Sequence, residues 1–176
     1  MTHRAQLPIA AIVGHAPGGV DATLVCVAAD LMARGVRVAG AVQHNIERPA
    51  RRCGMTLEIL PGGARFEISE DRGILSLGCR LDAAGLAGAV HALEQSMRAP
   101  YDMMVLNKFG IREVEGEGFR PALAEAIMAD VPVLVGVARS KHAALEAFIG
   151  APVQILPPCH TRVLDWASEA LKCPSA

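Results

Sequence analysis

Apolar and amphipathic segments alternate along the chain and predict alternating strands and helices. A continuous apolar run over residues 7–13 ends in glycine-rich sequence, which is typical of a buried strand followed by a tight loop. The segment 21–35 is apolar on nearly all sides and stops at Gly35, so it predicts a buried helix. A β-branched apolar run over residues 36–42 follows at once. Together they predict a βαβ unit with a right-handed connection.

The next segment has alternating rather than continuous apolar positions and predicts a hairpin. Residues 55–60 and 64–69 each alternate apolar and charged positions, and Pro61, Gly62 and Gly63 join them. This alternation is typical of paired strands with one exposed face.

The second half returns to alternating helices and strands. It predicts four helices, over residues 82–97, 119–130, 140–150 and 160–172. Three strands lie between them, over residues 101–107, 131–137 and 152–156. Asp82 and Ser140 are candidate N-caps of the first and third helices. Gly150 is a candidate stop for the third helix, and Thr161 or His160 is a candidate cap of the last.

This order of elements predicts an α/β fold: a doubly wound, mostly parallel sheet with an inserted β-hairpin. A chain of 176 residues favours one domain, covering residues 1–176. Hydrophobic residues make up 52% of the chain and aromatic residues only 3%, so the core is expected to consist mainly of Ala, Val, Leu and Ile.

Charge and composition exclude several classes of partner. The 17 basic and 18 acidic residues nearly balance and form no basic stripe, so we expect no nucleic-acid partner. The apolar runs are too short for membrane insertion, and the N-terminal one suits a buried strand better than a signal peptide. Five cysteines without paired close spacing favour a reducing, cytoplasmic setting. By analogy with other small doubly wound proteins, we expect a homodimer.

A glycine-rich loop, "GHAPGGVDAT", lies between the first predicted strand and helix, where a phosphate-binding loop would lie. Gly14, Gly18 and Gly19 give the loop the freedom to turn its backbone N–H groups toward one point. The following helix would present its positive end to the same point. The loop is therefore a candidate anion site, and the alternative is a simple βα turn without a ligand.

The loop lacks the lysine that phosphate-binding loops carry. In one register Val20 occupies the lysine position, and in a second register Ala22 does, with Thr23 retaining the hydroxyl that contacts magnesium. Asp21 competes with an anion for the positive end of the helix, and it is a candidate metal ligand or helix cap.

The strand end at Asn107 and Lys108 provides a candidate replacement for that lysine. In a parallel sheet this strand ends at the same edge as the glycine-rich loop. Asn107 stands where nucleotide-hydrolysing proteins usually place an acid that holds magnesium. Two readings apply to the acidic residues that follow: they supply a carboxylate to magnesium, or they are exposed loop residues. They are Glu113, Glu115 and Glu117.

Other polar residues fall near the same predicted edge. Gln43, His44 and Asn45 stand at the end of the second predicted strand, and Gln43 and His44 are candidate site residues. Arg80 is a candidate anion clamp beside the predicted cap Asp82.

The cysteines suggest little chemistry. Cys53 and Cys79 have irregular spacing with His44, which does not favour a metal site. Cys159 and His160 are adjacent without a third orienting group, so no nucleophile is expected there.

The segments "VRVAGAVQHN", "CGMTLEIL", "ISEDRGILSLGCRLD" and "MMVLNKFGIREVEGEGF" resemble a bacterial family known as a domain of unknown function and often found beside molybdate-uptake genes. The resemblance covers nearly the whole chain. That family is similar in layout to the small P-loop nucleoside-triphosphatases, and more loosely to the GTP-binding protein of molybdopterin-dinucleotide synthesis. The resemblance implies molybdenum or tungsten handling, with molybdate or tungstate as ligand.

Three functions are consistent with these features. The first is a protein that binds an oxyanion or a nucleotide phosphate without efficient hydrolysis, through the glycine loop, Lys108 and Arg80. The second is a nucleoside-triphosphatase in which Lys108 replaces the loop lysine and Glu113 or Glu115 engages magnesium. The third is a regulatory or scaffold protein whose loop is blocked by Val20 or by an ion pair between Asp21 and Lys108.

Overall fold

The computed structural model describes residues 8–14, 18–46, 54–69 and 81–172. Arg80, Cys53 and Cys79 lie outside these ranges. Within them, seven strands form one sheet, in chain order β1 (Ile9–Ile12), β2 (Val38–Ile46), β3 (Gly54–Leu60), β4 (Ala64–Glu67), β5 (Met103–Phe109), β6 (Val133–Val137) and β7 (Gln154–Leu156).

Helices connect these strands. They are α1 (Gly19–Ala33), α2 (Ala83–Ser96), α3 (Ile111–Val114), α4 (Arg120–Met128), α5 (His142–Ile149) and α6 (His160–Ala170), with a 3₁₀ turn over Arg139–Lys141. No described helix combines the length and the apolar character needed to cross a membrane.

The sheet confirms the predicted fold class. Its strand order is β4-β3-β2-β5-β6-β1-β7. The five strands from β2 to β7 in this order run parallel, whereas β3 and β4 form the antiparallel hairpin at one edge. Because helices cover both faces of the parallel part, its strands are buried on both sides and read as continuous apolar runs.

The two faces of the sheet have separate cores. On one face, α1 and α6 pack with Leu24, Leu31 and Val163 in the core. On the other face, α2, α4 and α5 contribute Leu93, Leu123 and similar apolar residues. The helices that follow the adjacent strands β1 and β6 therefore lie on opposite faces. In doubly wound sheets such a switch opens a crevice at the carboxyl ends of the two strands, where ligands bind.

The second strand is longer than the sequence predicts. The predicted strand stops at residue 42, but β2 continues to Ile46 because its last residues pair with β3, from Gly40 opposite Leu60 to Ile46 opposite Gly54. Gln43 and His44 therefore lie in the last part of this strand, opposite Leu57 and Thr56 of β3.

Most predicted helix boundaries are confirmed. Gly35 and Gly150 have positive φ angles at the ends of α1 and α5. Asp82 caps α2 by accepting a hydrogen bond from the N–H of Ala84 at 2.9 Å.

Two predicted caps are wrong. Ser140 lies inside the 3₁₀ turn, and α5 begins two residues later at His142. Neither His160 nor Thr161 caps α6, because both are already helical and Cys159 holds the extended N-cap conformation. The short helix α3 was not predicted, since four residues are too few for a helical pattern.

Gly40 lies in the middle of the sheet, at a position where no larger residue fits without displacing a neighbouring strand. Its φ angle is 152°, and a Cβ atom there would lie 1.8 Å from the carbonyl oxygen of Val105 on β5. We expect Gly40→Ala to lower the free energy of unfolding by about 3 kcal/mol or more, because the strands must separate to admit the methyl group. Gly62→Ala, where a Cβ meets nothing within 4 Å, is the control and should change stability by less than about 0.5 kcal/mol. Equal urea midpoints for the two variants would contradict this prediction.

Candidate functional site

The glycine-rich loop leads from β1 into a helix whose N-terminus lacks a side-chain cap. Gly18 is the N-cap residue, with φ of 72° in the left-handed region, and no described side chain caps it. The first helical hydrogen bond runs from the N–H of Ala22 to the carbonyl of Gly18 at 2.9 Å. The N–H groups of residues 19–21 therefore have no helical acceptor, and they carry the positive end of the α1 dipole.

Both residues at the candidate lysine position are unsuited to bind an anion. Val20 is partly buried and packs against the core, between Gly14 and Gly136, where its methyl groups lie 3.0 Å from the position of an added Cβ on either glycine. Ala22 is exposed on α1. Thr23 is buried, and its hydroxyl donates to the carbonyl of Gly19 at 2.8 Å.

The carboxylate of Asp21 is held by two amides. Asn107 on β5 donates its Nδ2 to Asp21 Oδ1 at 2.8 Å, and Asn45 on β2 donates its Nδ2 to Asp21 Oδ2 at 2.5 Å. Asp21 thus joins the first turn of α1 to two strands of the sheet. It neither caps its own helix nor forms an ion pair with Lys108 within the described part of the chain.

The amide network extends deeper into the sheet. Gln43, only 5% exposed, donates its Nε2 to Asn45 Oδ1 at 2.8 Å. Asn107 is 1% exposed, and its Oδ1 has no hydrogen-bond partner. Unpaired polar atoms at such burial are rare in folded proteins. Gln43, Asn45, Asp21 and Asn107 therefore form one polar cluster. The sequence predicted three of them as site residues, but neither Asn45 nor the contacts between them.

The side chain of His44 contacts the hairpin and not the polar cluster. Its Nε2 lies 2.8 Å from Glu58 Oε2 on β3, and Arg65 on β4 pairs with the same oxygen at 2.9 Å. The structure thus places this candidate against the hairpin rather than beside Asp21.

Lys108 is exposed at the carboxyl end of β5, where the sheet register is irregular and the Asn107–Lys108 peptide bond is cis. No hydrogen bond or ion pair of its side chain is found within the described ranges. The structure thus brings Asn107 into contact with the start of α1, whereas Lys108 pairs with no side chain in the part of the chain that is described.

Two further cations lie at the same edge and were missed in the sequence. Arg139 and Lys141 belong to the 3₁₀ turn after β6, the strand that pairs with β1 beside the glycine loop. Neither side chain has a partner among the described residues. Their position directly after an apolar strand was a signal that could have identified them.

The acidic segment after β5 is partly structural. Glu113 is 5% exposed, and its carboxylate accepts the N–H groups of Gly110 at 2.9 Å and Phe119 at 3.0 Å. Glu117 is exposed and pairs with Arg112 at 2.9 Å. The reading of Glu113 as an exposed loop residue is therefore wrong, because its carboxylate closes the turn between α3 and α4.

The described residues contain no cluster of three or more His, Cys, Asp or Glu side chains suited to hold a metal ion. Cys159 and His160 make separate contacts: His160 Nε2 lies 2.8 Å from Asp30 Oδ2, and the Cys159 sulfur lies 3.4 Å from the Thr161 hydroxyl. The hydrogen bond with Thr161, helped by the backbone N–H of Arg162, lowers the pKa of the Cys159 thiol.

A doubly wound, mostly parallel sheet whose first strand leads through a glycine-rich loop into a helix is a P-loop NTPase-like α/β fold. The chain belongs to the family described as "Protein of unknown function (DUF2478)", which it matches over residues 9–166. This match confirms the resemblance drawn from the sequence.

One relative carries a functional name. The chain is 36% identical over 143 residues to the "Molybdenum import ATP-binding protein ModC 2" of Bradyrhizobium diazoefficiens. The matched segment makes up 81% of this chain but only 16% of that relative. No solved structure matches the chain.

The contacts of Asp21 predict a stability effect. Asp21→Ala should lower the free energy of unfolding by about 1–3 kcal/mol, because it leaves the buried Nδ2 of Asn107 without an acceptor. Asp165→Ala, at an exposed carboxylate on α6, is the matched control and should cost less than about 0.5 kcal/mol. Chemical denaturation of both variants measures the difference, and an unchanged Asp21→Ala protein would show that the network contributes nothing.

Proposed function

We propose that this protein binds a small oxyanion, or the phosphate of a nucleotide, at the carboxyl edge of its sheet, without efficient hydrolysis. The observation that carries the proposal is the N-terminus of α1, which no described side chain caps and which lies at the switch between β1 and β6. The same edge of the sheet carries cations that have no partner among the described residues. Backbone N–H groups at a helix start are general receptors for anions.

The charges at this edge favour an anion. Lys108 lies near the carboxyl end of β5, and Arg139 and Lys141 follow β6. These three cations therefore belong to the two strands that come before β1 in the strand order of the sheet. The opposing charge, Asp21, is engaged by two amides, which spread its negative charge over hydrogen bonds. Arg80 remains a candidate for the same ligand.

The absence of efficient hydrolysis follows from the groups that phosphoryl transfer needs. Such enzymes use a loop lysine on the phosphates and a carboxylate and hydroxyl on magnesium. Here the lysine position holds Val20, which is apolar and packs against the core, Asn107 is an amide, and the hydroxyl of Thr23 donates to its own helix.

The link to molybdenum or tungsten comes from the named relative, of which this chain spans about one sixth. Molybdate is a tetrahedral dianion like phosphate, so the same N–H groups and cations would bind either. We therefore place the protein in cytoplasmic molybdenum or tungsten handling, with molybdate or tungstate as its ligand.

A nucleoside-triphosphatase is the second candidate, favoured by the unpaired Lys108. It requires magnesium, and since Glu113 is occupied by backbone N–H groups, Asp21 or Glu115 would have to hold the ion. A scaffold without a ligand is the third, but its expected Asp21–Lys108 ion pair is not found among the described contacts.

Binding tests the proposal directly. Calorimetric titration with molybdate, tungstate and phosphate should detect binding, and Lys108→Ala should weaken it about tenfold, because a charge-assisted hydrogen bond is lost. Lys172→Ala is the matched control, since this exposed lysine follows α6 at the end remote from the ligand edge. A folded Lys108→Ala protein with unaltered affinity for each oxyanion would refute the role of Lys108.

Turnover separates the first two candidates. With magnesium and ATP or GTP, we expect phosphate release no faster than that from nucleotide alone, measured with a coupled phosphate assay. Release that Lys108→Ala abolishes and Lys172→Ala preserves would instead establish the nucleoside-triphosphatase.

A further inference from the structure

We infer that a second pocket, next to the oxyanion site, holds the apolar body of a small organic anion. The pocket has a volume of about 220 Å³ and is lined by Leu57 from β3, Leu86 from α2, and Phe119 before α4. Lys108 lines it as well. The inference deepens the proposed function and rests on it, because Lys108 would contact the anionic group in both.

The walls of the pocket determine what can enter. Most of the lining is hydrocarbon, contributed by Leu57, Leu86 and Phe119 together with the side chains of Met55, Ile68 and Leu81. A bare molybdate or phosphate ion would lose hydration against these hydrocarbon walls, which offer it no hydrogen bonds in return. An apolar group would be stabilised there, because it removes both its own surface and that of the walls from water.

The charged residues of the lining are already paired, with one exception. The Glu113 carboxylate accepts two backbone N–H groups, and Arg112 pairs with Glu117 at 2.9 Å. Lys108 has no partner within the described ranges. The unpaired charge that lines this pocket is therefore positive, and it selects a ligand with a negative group.

The size of the pocket limits the apolar body to about one ring. A volume of about 220 Å³ is below the range of roughly 300–1,000 Å³ of complete ligand pockets. The ligand class is thus a single aromatic ring that carries a phosphate or carboxylate, with the ring between β3 and α2 and the anion at Lys108.

Phenyl phosphate is the probe that tests this inference on the full chain. Inorganic phosphate, which shares its anion, and benzyl alcohol, which shares its ring, are the two controls. We expect phenyl phosphate to bind about tenfold or more tightly than either, because it alone gains both contributions. The methyl signals of Leu57, Ile68 and Leu86 should shift in NMR spectra, whereas those of Leu31 and Leu164, on the other face of the sheet, should not.

Two variants separate the ring from the anion. Leu86→Phe should fill the pocket and weaken phenyl phosphate binding about tenfold without weakening phosphate binding, because it removes space for the ring only. Leu171→Phe is the matched control, at a half-buried leucine on the opposite face. Lys108→Ala should reduce the affinity for phenyl phosphate toward that for benzyl alcohol.

Phenyl phosphate that binds no more tightly than phosphate, or that leaves the Leu57, Ile68 and Leu86 methyl signals unshifted, would overturn the inference. These readouts use the unaltered chain, so they hold even where Leu86→Phe fails to fold. If molybdate and phosphate do not bind while phenyl phosphate shifts the pocket methyls, the oxyanion proposal fails and the pocket assignment stands.

Discussion

The hydrogen bonds from Asn45 and Asn107 to the Asp21 carboxylate determine where the first helix begins relative to the sheet. Asp21 lies in the first turn of α1, where the helix dipole favours a negative charge. The two amides belong to β2 and β5, so the start of α1 is fixed over the carboxyl ends of both strands. The uncapped N–H groups of the helix and the polar strand ends consequently face the same crevice.

In a nucleotide-hydrolysing site the cation lies at the start of the helix and the acid at the strand end, and here these two positions are exchanged. The carboxylate lies on the helix, and the strand end carries an amide followed by a cation. An acid at Asn107 would face Asp21 at hydrogen-bond distance, and two carboxylates so close cannot both ionise without a bound cation. The amide at Asn107 removes that conflict, so the polar cluster is stable without a metal ion. An amide at this position is a poorer ligand for magnesium than a carboxylate, and it agrees with the anion ligand of the proposed function.

The sequence predicts the fold better than it predicts the site. The apolar positions of strands and helices recur with different periods, so a single sequence is enough to predict the order of elements, including the hairpin after β2. The continuation of β2 to Ile46 and the burial of Glu113 depend on partners distant in space or on backbone N–H groups, which no local pattern records. The contacts of Asn45 were missed for the same reason, because they depend on which elements lie side by side.

The loss of the loop lysine changes the kind of binding that the fold can provide. A lysine within the loop holds phosphate where water is partly excluded, whereas Lys108 and Arg139 are exposed. Exposed cations contribute modestly and are screened by salt, so they attract an anion without holding it tightly. In the proposed site, the hydrogen bonds that orient the anion would then come from the N–H groups at the start of α1, because salt screens these hydrogen bonds less. Under the proposed function, a site built in this way would exchange its ligand readily, which would suit transfer of an oxyanion better than a chemical step that needs a charge fixed on the reacting group.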